Sequence, residues 1–148
     1  MKTFINLSST CLLAIALVGC ASGPKYTEVK SSMPILSADK GRIFFYRSGS
    51  MVGSGIQPNV NLNGAVVGES KPGGFFYLDV LPSQYEVSLT SEVEKKLTFT
   101  IGIRQERCVR MSVGLGILVY RVYPELVEPA ACEAEIQDLS YTGSLKKQ

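Results

Sequence analysis

From Gly41 onward, apolar and polar positions alternate with a period of two. Leu97, Phe99, Ile101 and Ile103 are separated by Thr98, Thr100 and Gly102, and Tyr85, Val87 and Leu89 by Glu86 and Ser88. Alternation sends successive side chains to opposite faces, so both runs predict strands with one buried face. Residues 42–47 and 75–80, RIFFYR and FFYLDV, are rich in aromatic side chains and predict two more strands. In NVNLNGAVVG, Asn63-Gly64 suits a type I′ turn, whose two central residues need positive φ. A two-residue turn there pairs Leu62 with Ala65 and Val60 with Val67, all on one face. Residues 92–96, EVEKK, read as a charged hairpin connection. Gly114-Leu115-Gly116 predicts a turn between a strand over 107–113 and another over 117–123.

That last strand is apolar on both faces, with Leu118, Tyr120 and Val122 on one and Ile117 and Val119 on the other. A strand of that kind is covered on both sides. The cover expected is residues 129–139, PAACEAEIQDL. Pro129 suits a first helical turn, Ala and Glu favour helix, and Cys132, Ile136 and Leu139 share one side at i, i+4 and i+7. A short final strand is the alternative. The fold class expected is mainly β: an antiparallel β-sandwich of about seven to eight strands with a short C-terminal helix, occupying residues 41–148.

The N-terminus has a different pattern. Lys2 precedes a mostly apolar stretch over 4–18, interrupted by Asn6, Ser8, Ser9 and Thr10, and small residues follow. This is the layout of a secretory leader. The uninterrupted run is too short for a membrane-spanning helix, which needs roughly 20 apolar residues. Leu17-Val18-Gly19-Cys20 resembles the lipobox of bacterial lipoproteins. That resemblance implies cleavage after Gly19, a diacylglyceryl group on the Cys20 sulfur and acylation of the new amino group. Ala21, rather than Asp, implies sorting to the outer membrane of a Gram-negative host, facing the periplasm. An ordinary signal peptide with a chance cysteine is the other reading. Residues 20–40 contain Ser, Gly, Pro and Lys without periodicity. They predict a lipidated N-terminus on a flexible tether, able to reach on the order of 60 Å at about 3.3 Å per residue.

Cysteine usage follows from this placement. Cys11 leaves with the leader over 1–19 and Cys20 carries lipid. Cys108 and Cys132 remain, and in an oxidising compartment they are expected to pair. Two buried free thiols are the alternative. Cys108 lies on the face opposite Val109 and Met111, where the expected helix would bring Cys132. Two cysteines without His or a CxxC spacing are a poor zinc set, so no metal and no cofactor is expected.

GRIFFYR followed by PNVNLNGAVVGESKPGGFFYLDVLPSQYEVSLT resembles the DUF2846 family of small bacterial lipoproteins and secreted domains and, more distantly, transthyretin-like and PEGA-type β-sandwiches. The shared pattern is Tyr46-Arg47 closing a first strand, Asn63-Gly64, Gly74-Phe75 and a Pro82–Tyr85 corner, where Ser83 replaces the usual Gly. The resemblance implies a fold and supplies no active site.

The remaining composition narrows the chemistry. The chain has 148 residues, a net charge of +2 with scattered cations, 45% hydrophobic and 19% charged residues, and neither His nor Trp. That supports a packed core and gives no clustered basic footprint for nucleic acid. Without His there is no Ser-His-Asp set and no ordinary general base at neutral pH. Asp79 and Glu86 could be posed as a carboxylate pair, but acids on strands are usually solvated. SGSMVGSG over 48–55 lacks the Gly-Lys-Ser/Thr ending of a phosphate loop and reads as a flexible connection. Arg104, Arg107, Arg110 and Arg121 are a candidate ligand face for an anionic envelope component, against the simpler reading of surface and edge-strand charges. Tyr26, Tyr46, Tyr77 and Tyr120 are candidates for stacking on a glycan, against packing. The expected function is a membrane-anchored, non-enzymatic lipoprotein that binds a protein partner or an envelope component such as a glycan. A purely structural envelope role is the alternative, and an enzyme the remote one.

Overall fold

The aromatic strand RIFFY is buried along its whole length because it has a neighbour on each face. The computed structural model describes residues 20–143; the expected leader over 1–19, with Cys11, lies outside them. In β1 (Gly41–Tyr46), Ile43 and Phe45 enter one hydrophobic core and Phe44 and Tyr46 another. In β4 (Gly74–Val80), Phe76 and Leu78 belong to the first core and Phe75 and Tyr77 to the second. Strand alternation therefore turns two aromatic runs into the middle layer of three. Full burial of one such side chain contributes about 1.5–3 kcal/mol.

The middle layer is a five-stranded sheet ordered β8 (Tyr120–Val127), β7 (Glu106–Leu115), β1, β4 and β9 (Ser140–Tyr141). Facing it across the first core is a four-stranded sheet ordered β3 (Ala65–Glu69), β2 (Asn59–Leu62), β5 (Ser83–Thr90) and β6 (Glu94–Ile101). Phe45 stacks on Phe76 at 4.8 Å between ring centroids inside that core. The third layer is α1 (Tyr26–Ser32) and α2 (Pro129–Ile136), closing the second core over Phe44, Tyr46, Phe75 and Tyr77. Cys132 of α2 is bonded to Cys108 of β7, joining the outer layer to the middle one.

The sandwich with a C-terminal helix matches expectation, with four differences. The larger sheet is mixed rather than antiparallel, since β1 pairs parallel with β7 and β4 parallel with β9. Long connections separate the members of each parallel pair, so no hairpin forces them antiparallel. Both readings of the C-terminus hold, for the helix is followed by the two-residue strand β9. The surface that the helix covers is only partly the one expected. It lands on β7 at Cys108, as expected, and with α1 closes the core that includes the aromatic outer face of β1 and β4, but Ile117 and Val119, which it was expected to cover, are exposed in the turn between β7 and β8. Ile103 likewise lies beyond the end of β6 and is exposed.

The Asn63-Gly64 turn forms as expected, with φ of 50° and 80° and Leu62 opposite Ala65. A bulge between Val60 and Asn61 then shifts the register, placing Val60 opposite Gly68 rather than the expected Val67. Gly68 is required there, since a Cβ at that position would lie 2.5 Å from the Phe76 ring.

The largest correction concerns the tether. Much of residues 20–40 is docked rather than free. The amide of Ala21 donates to the Pro72 carbonyl, that of Tyr141 to Pro24, and that of Tyr26 to Leu139, at 3.2, 2.8 and 3.0 Å. Tyr26 is 4% exposed, edge-on to both Phe44 and Phe75. Its hydroxyl donates to Glu133 of α2 at 3.0 Å, and Lys30 pairs with the same carboxylate. Further on, Arg42 holds Asp79 bidentately at 2.6 and 2.8 Å and donates to the Pro34 carbonyl at 2.9 Å. One buried aromatic and a short β-like pairing are enough to fix a segment whose polar composition reads as linker.

Candidate functional site

The pairing register places several chain ends together. β1 and β7 finish, and β4, β8 and β9 begin, at the same end of the five-stranded sheet. Arg110 lies beside Tyr46, the last residue of β1, so Met111 to Leu115 carry β7 on past its neighbour. At about 3.3 Å per residue that extension is roughly 17 Å. It ends in a protruding turn whose side chains are apolar. Leu115, Ile117 and Leu118 are 84, 82 and 88% exposed, and Val119 is 53% exposed.

The connection between β1 and β2 lies beside this hairpin. A Cβ on Gly53 would touch Val113 and Tyr120, so the loop passes close against both strands, and its neighbours Met51 and Val52 are exposed. The loop is held from below by Arg47. This side chain is 1% exposed and its guanidinium donates to the carbonyls of Ile56, Gly53 and Ser70 at 2.6, 2.7 and 2.9 Å. Burial pulls its pKa down, and the carbonyls supply its compensation. The connection expected to be flexible is thus tied at Gly53 and Ile56, and the same guanidinium joins it to Ser70 after β3. Its first residues meet the turn before β4, where the Gly73 amide donates to the Ser48 carbonyl. Cys20, exposed and unpaired, sits next to that turn in a shallow pocket with Ala21 and Lys71.

Glu92, in the connection between β5 and β6, supports the hairpin turn. Its carboxylate accepts from the amides of Ile117 and Leu118, both at 3.2 Å, and from Arg121 Nε at 2.5 Å. The Gly116 amide donates to the Val119 carbonyl at 2.8 Å. The turn thus has three amides satisfied within the protein under apolar side chains that face outward. The Arg121 hydrogen bond, helped by the two amides, holds the Glu92 pKa below its ordinary 4.5. A lowered folded-state pKa means that the stabilisation is complete above the unfolded value and is lost as pH falls through the folded one. We expect the Glu92 carboxyl resonance to titrate with a midpoint below 4.5, and the amide shifts of Ile117 and Leu118 to move with it. A midpoint at or above that ordinary value would contradict the arrangement.

A second feature lies on the outer face of β7, in an open groove of about 660 Å³. Arg110 is held between Glu135 of α2, at 2.9 Å, and Glu125 of β8, at 3.3 Å. Tyr46 donates to Glu135 at 2.9 Å, and Ser112 bonds to Glu125. The hydrogen bond with Glu135 raises the Arg110 pKa; burial, then the same carboxylate, raises that of Tyr46. Two carboxylates against one guanidinium leave the groove with an excess of negative charge.

The four arginines expected to form one face are not brought together. Arg107 and Arg110 are three apart on β7 and point to opposite faces. Arg107 donates to the Thr100 carbonyl of the other sheet, Arg121 is paired with Glu92, and Arg104 lies in the turn after β6 with φ 55°. Three of the four stacking candidates, Tyr26, Tyr46 and Tyr77, are buried in the second core, and Tyr120 flanks the exposed turn. Asp79 and Glu86 lie on different sheets, paired with Arg42 and Lys96. Among the described residues no group of three or more His, Cys, Asp or Glu side chains is placed to hold a metal ion, and no helix is long and apolar enough to cross a membrane.

The apolar end is the feature that sequence reading misses. Its signal is present, because GLGILV puts Leu115 between two glycines and Ile117, Leu118 and Val119 directly after them, where Gly, Asn, Asp and Pro are usual. The turn is expected at Gly114-Leu115-Gly116, and hydropathy assigns Ile117, Leu118 and Val119 to the next strand; the turn instead falls on those three residues after Gly116, and β7 runs through Leu115. Glu92 and Arg47 give no sequence signal, since their partners include backbone groups 6 to 26 residues away.

Comparison with known proteins finds one family model, described as a protein of unknown function (DUF2846), matching residues 37–121. The match runs from just before β1 to the start of β8. The chain belongs to this family. No curated protein and no solved structure matches it.

Proposed function

We propose that this DUF2846 member is a lipid-anchored, non-enzymatic lipoprotein, facing the periplasm from the outer membrane of a Gram-negative cell and acting by binding a protein partner or another envelope component. The observation that carries the reading is the LVGC run leading into Cys20, a cysteine exposed at its junction with the folded domain. The Cys108–Cys132 bond supports an oxidising compartment. A role in binding is supported by the exposed apolar end and by the groove beside Arg110, whose hydroxyls and net negative charge suit a neutral or cationic partner better than an anionic one. Both groove carboxylates are engaged by Arg110, which favours binding over acid–base work.

The test is the intact mass of the protein extracted from its native membrane. The expected species begins at Cys20, carries diacylglyceryl and N-acyl groups, and lacks two hydrogens at Cys108 and Cys132. A species with residues 1–19 removed but position 20 unmodified would overturn the reading.

A further inference from the structure

We propose that the apolar end of the sandwich, the β7–β8 turn with Leu115, Ile117 and Leu118 and the neighbouring Met51 and Val52, inserts into the surface of the bilayer that carries the lipid on Cys20. The inference rests on the lipid-anchor reading and adds to it an orientation and a second membrane contact.

Three observations choose a lipid surface as the occupant. The first is position. Cys20, where the described chain starts, lies beside the turn before β4, at the end of the sheet from which the hairpin protrudes. A free leash over residues 20–40 would allow any orientation. Here Ala21, Pro24 and Tyr26 are bonded to the domain, so a lipid on Cys20 brings this end to the bilayer. The second is shape and side-chain type. The patch is a protruding tip whose most exposed side chains are Leu, Ile, Val and Met around an open, shallow hollow, rather than a deep pocket with Trp and Arg anchors, which favours acyl chains over a protein hot spot. Tyr120 at the base of the tip, and Lys71 and Lys95 beside Cys20 and Leu115, are residue types that suit the headgroup level. The third is the backbone. Polar groups enter an apolar phase only when satisfied internally. Glu92 already holds the amides of Ile117 and Leu118 and is itself paired with Arg121. The opposite end has exposed apolar residues too, Ile35, Leu81 and Ile103, but the docked segment carries Cys20 away from them.

The chain has no Trp, so single-tryptophan variants report one site each. Leu118→Trp and Ile35→Trp, both at highly exposed positions, are purified in their membrane-extracted form. Their masses are checked for acylation, and they are reconstituted into phosphatidylethanolamine/phosphatidylglycerol vesicles with and without brominated acyl chains. The expected result is an acylated protein in which the indole emission of the Leu118→Trp variant shifts to the blue and loses most of its intensity to brominated lipid. Emission from the Ile35→Trp variant should be unaffected. An acylated protein whose indole at position 118 is quenched no more than the one at position 35 overturns the insertion and leaves the anchor standing. A chain without acyl groups overturns both. Adding Ile117→Asp beside Leu118→Trp is expected to abolish most of the quenching; unchanged quenching would also count against insertion.

Discussion

Replacing Cys108 and Cys132 together by alanine is expected to lower the unfolding free energy by about 3–4 kcal/mol, the loop-closure value for a bridge spanning 24 residues. For a domain of this size that is a fall in Tm on the order of 10 °C. The loss has a defined route through the structure. The bridge holds α2 on β7, and α2 supplies Glu135 to Tyr46 and Arg110, and Glu133 to Tyr26 and Lys30. Freeing α2 therefore loosens α1 as well, and with it the segment that positions Cys20. Thermal unfolding followed by circular dichroism, with hydrogen exchange over residues 129–136 and 26–32, measures both effects. Unfolding within about 1 kcal/mol of the parent, with α1 and α2 still protected, would show that packing alone holds the outer layer.

The second large effect is expected at Arg47. Arg47→Leu removes three charge-assisted hydrogen bonds and leaves the carbonyls of Gly53, Ile56 and Ser70 without that donor. The Gly53 carbonyl keeps the Ile56 amide, at 2.9 Å, but a buried acceptor without a partner costs about 1–3 kcal/mol, so a loss of about 2–3 kcal/mol overall is expected after the leucine's own burial offsets part. Arg47→Lys should be intermediate, because one compact ammonium cannot span acceptors arranged around a planar fork. Urea unfolding of the three proteins checks the order. Equal stability of the leucine variant and the parent would mean that the guanidinium bonds merely offset its burial.

Arg47 also marks where sequence reading stops. It is legible as the end of a strand, and the strand is there, but nothing local says that its charge is buried among carbonyls of the following loop and of Ser70. Period-two patterns locate β5 and β6 because each has one wet face. The Asn63-Gly64 turn is legible because its chemistry is local. The bulge at Val60/Asn61 is not, since it answers to Phe76 pressing on Gly68 from another sheet. Cys132, Ile136 and Leu139 give the helical segment its buried side, and that side is correct, as is its landing at Cys108, although Ile117 and Val119 are not beneath it. The tether misleads for a related reason. Residues 20–40 mix Ser, Gly, Pro and Lys with apolar residues that follow no period, and what docks the segment is chiefly Tyr26 with a few backbone hydrogen bonds. The apolar end is hidden most completely, because apolar residues at a turn look like strand when only their hydropathy is read.

The segment after Cys20 is part of the fold, so a lipid there would fix which end of the domain meets the membrane. The decisive measurement is hydrogen exchange at the amides of Ala21 and Tyr26, in the protein extracted from the membrane and held in detergent micelles. The Tyr26 amide, bonded to Leu139 at 3.0 Å beneath a buried ring, is predicted to exchange orders of magnitude more slowly than in an unstructured peptide, and that of Ala21 measurably more slowly. Exchange of both at unstructured rates, while the β1 amides remain protected, would contradict the claim.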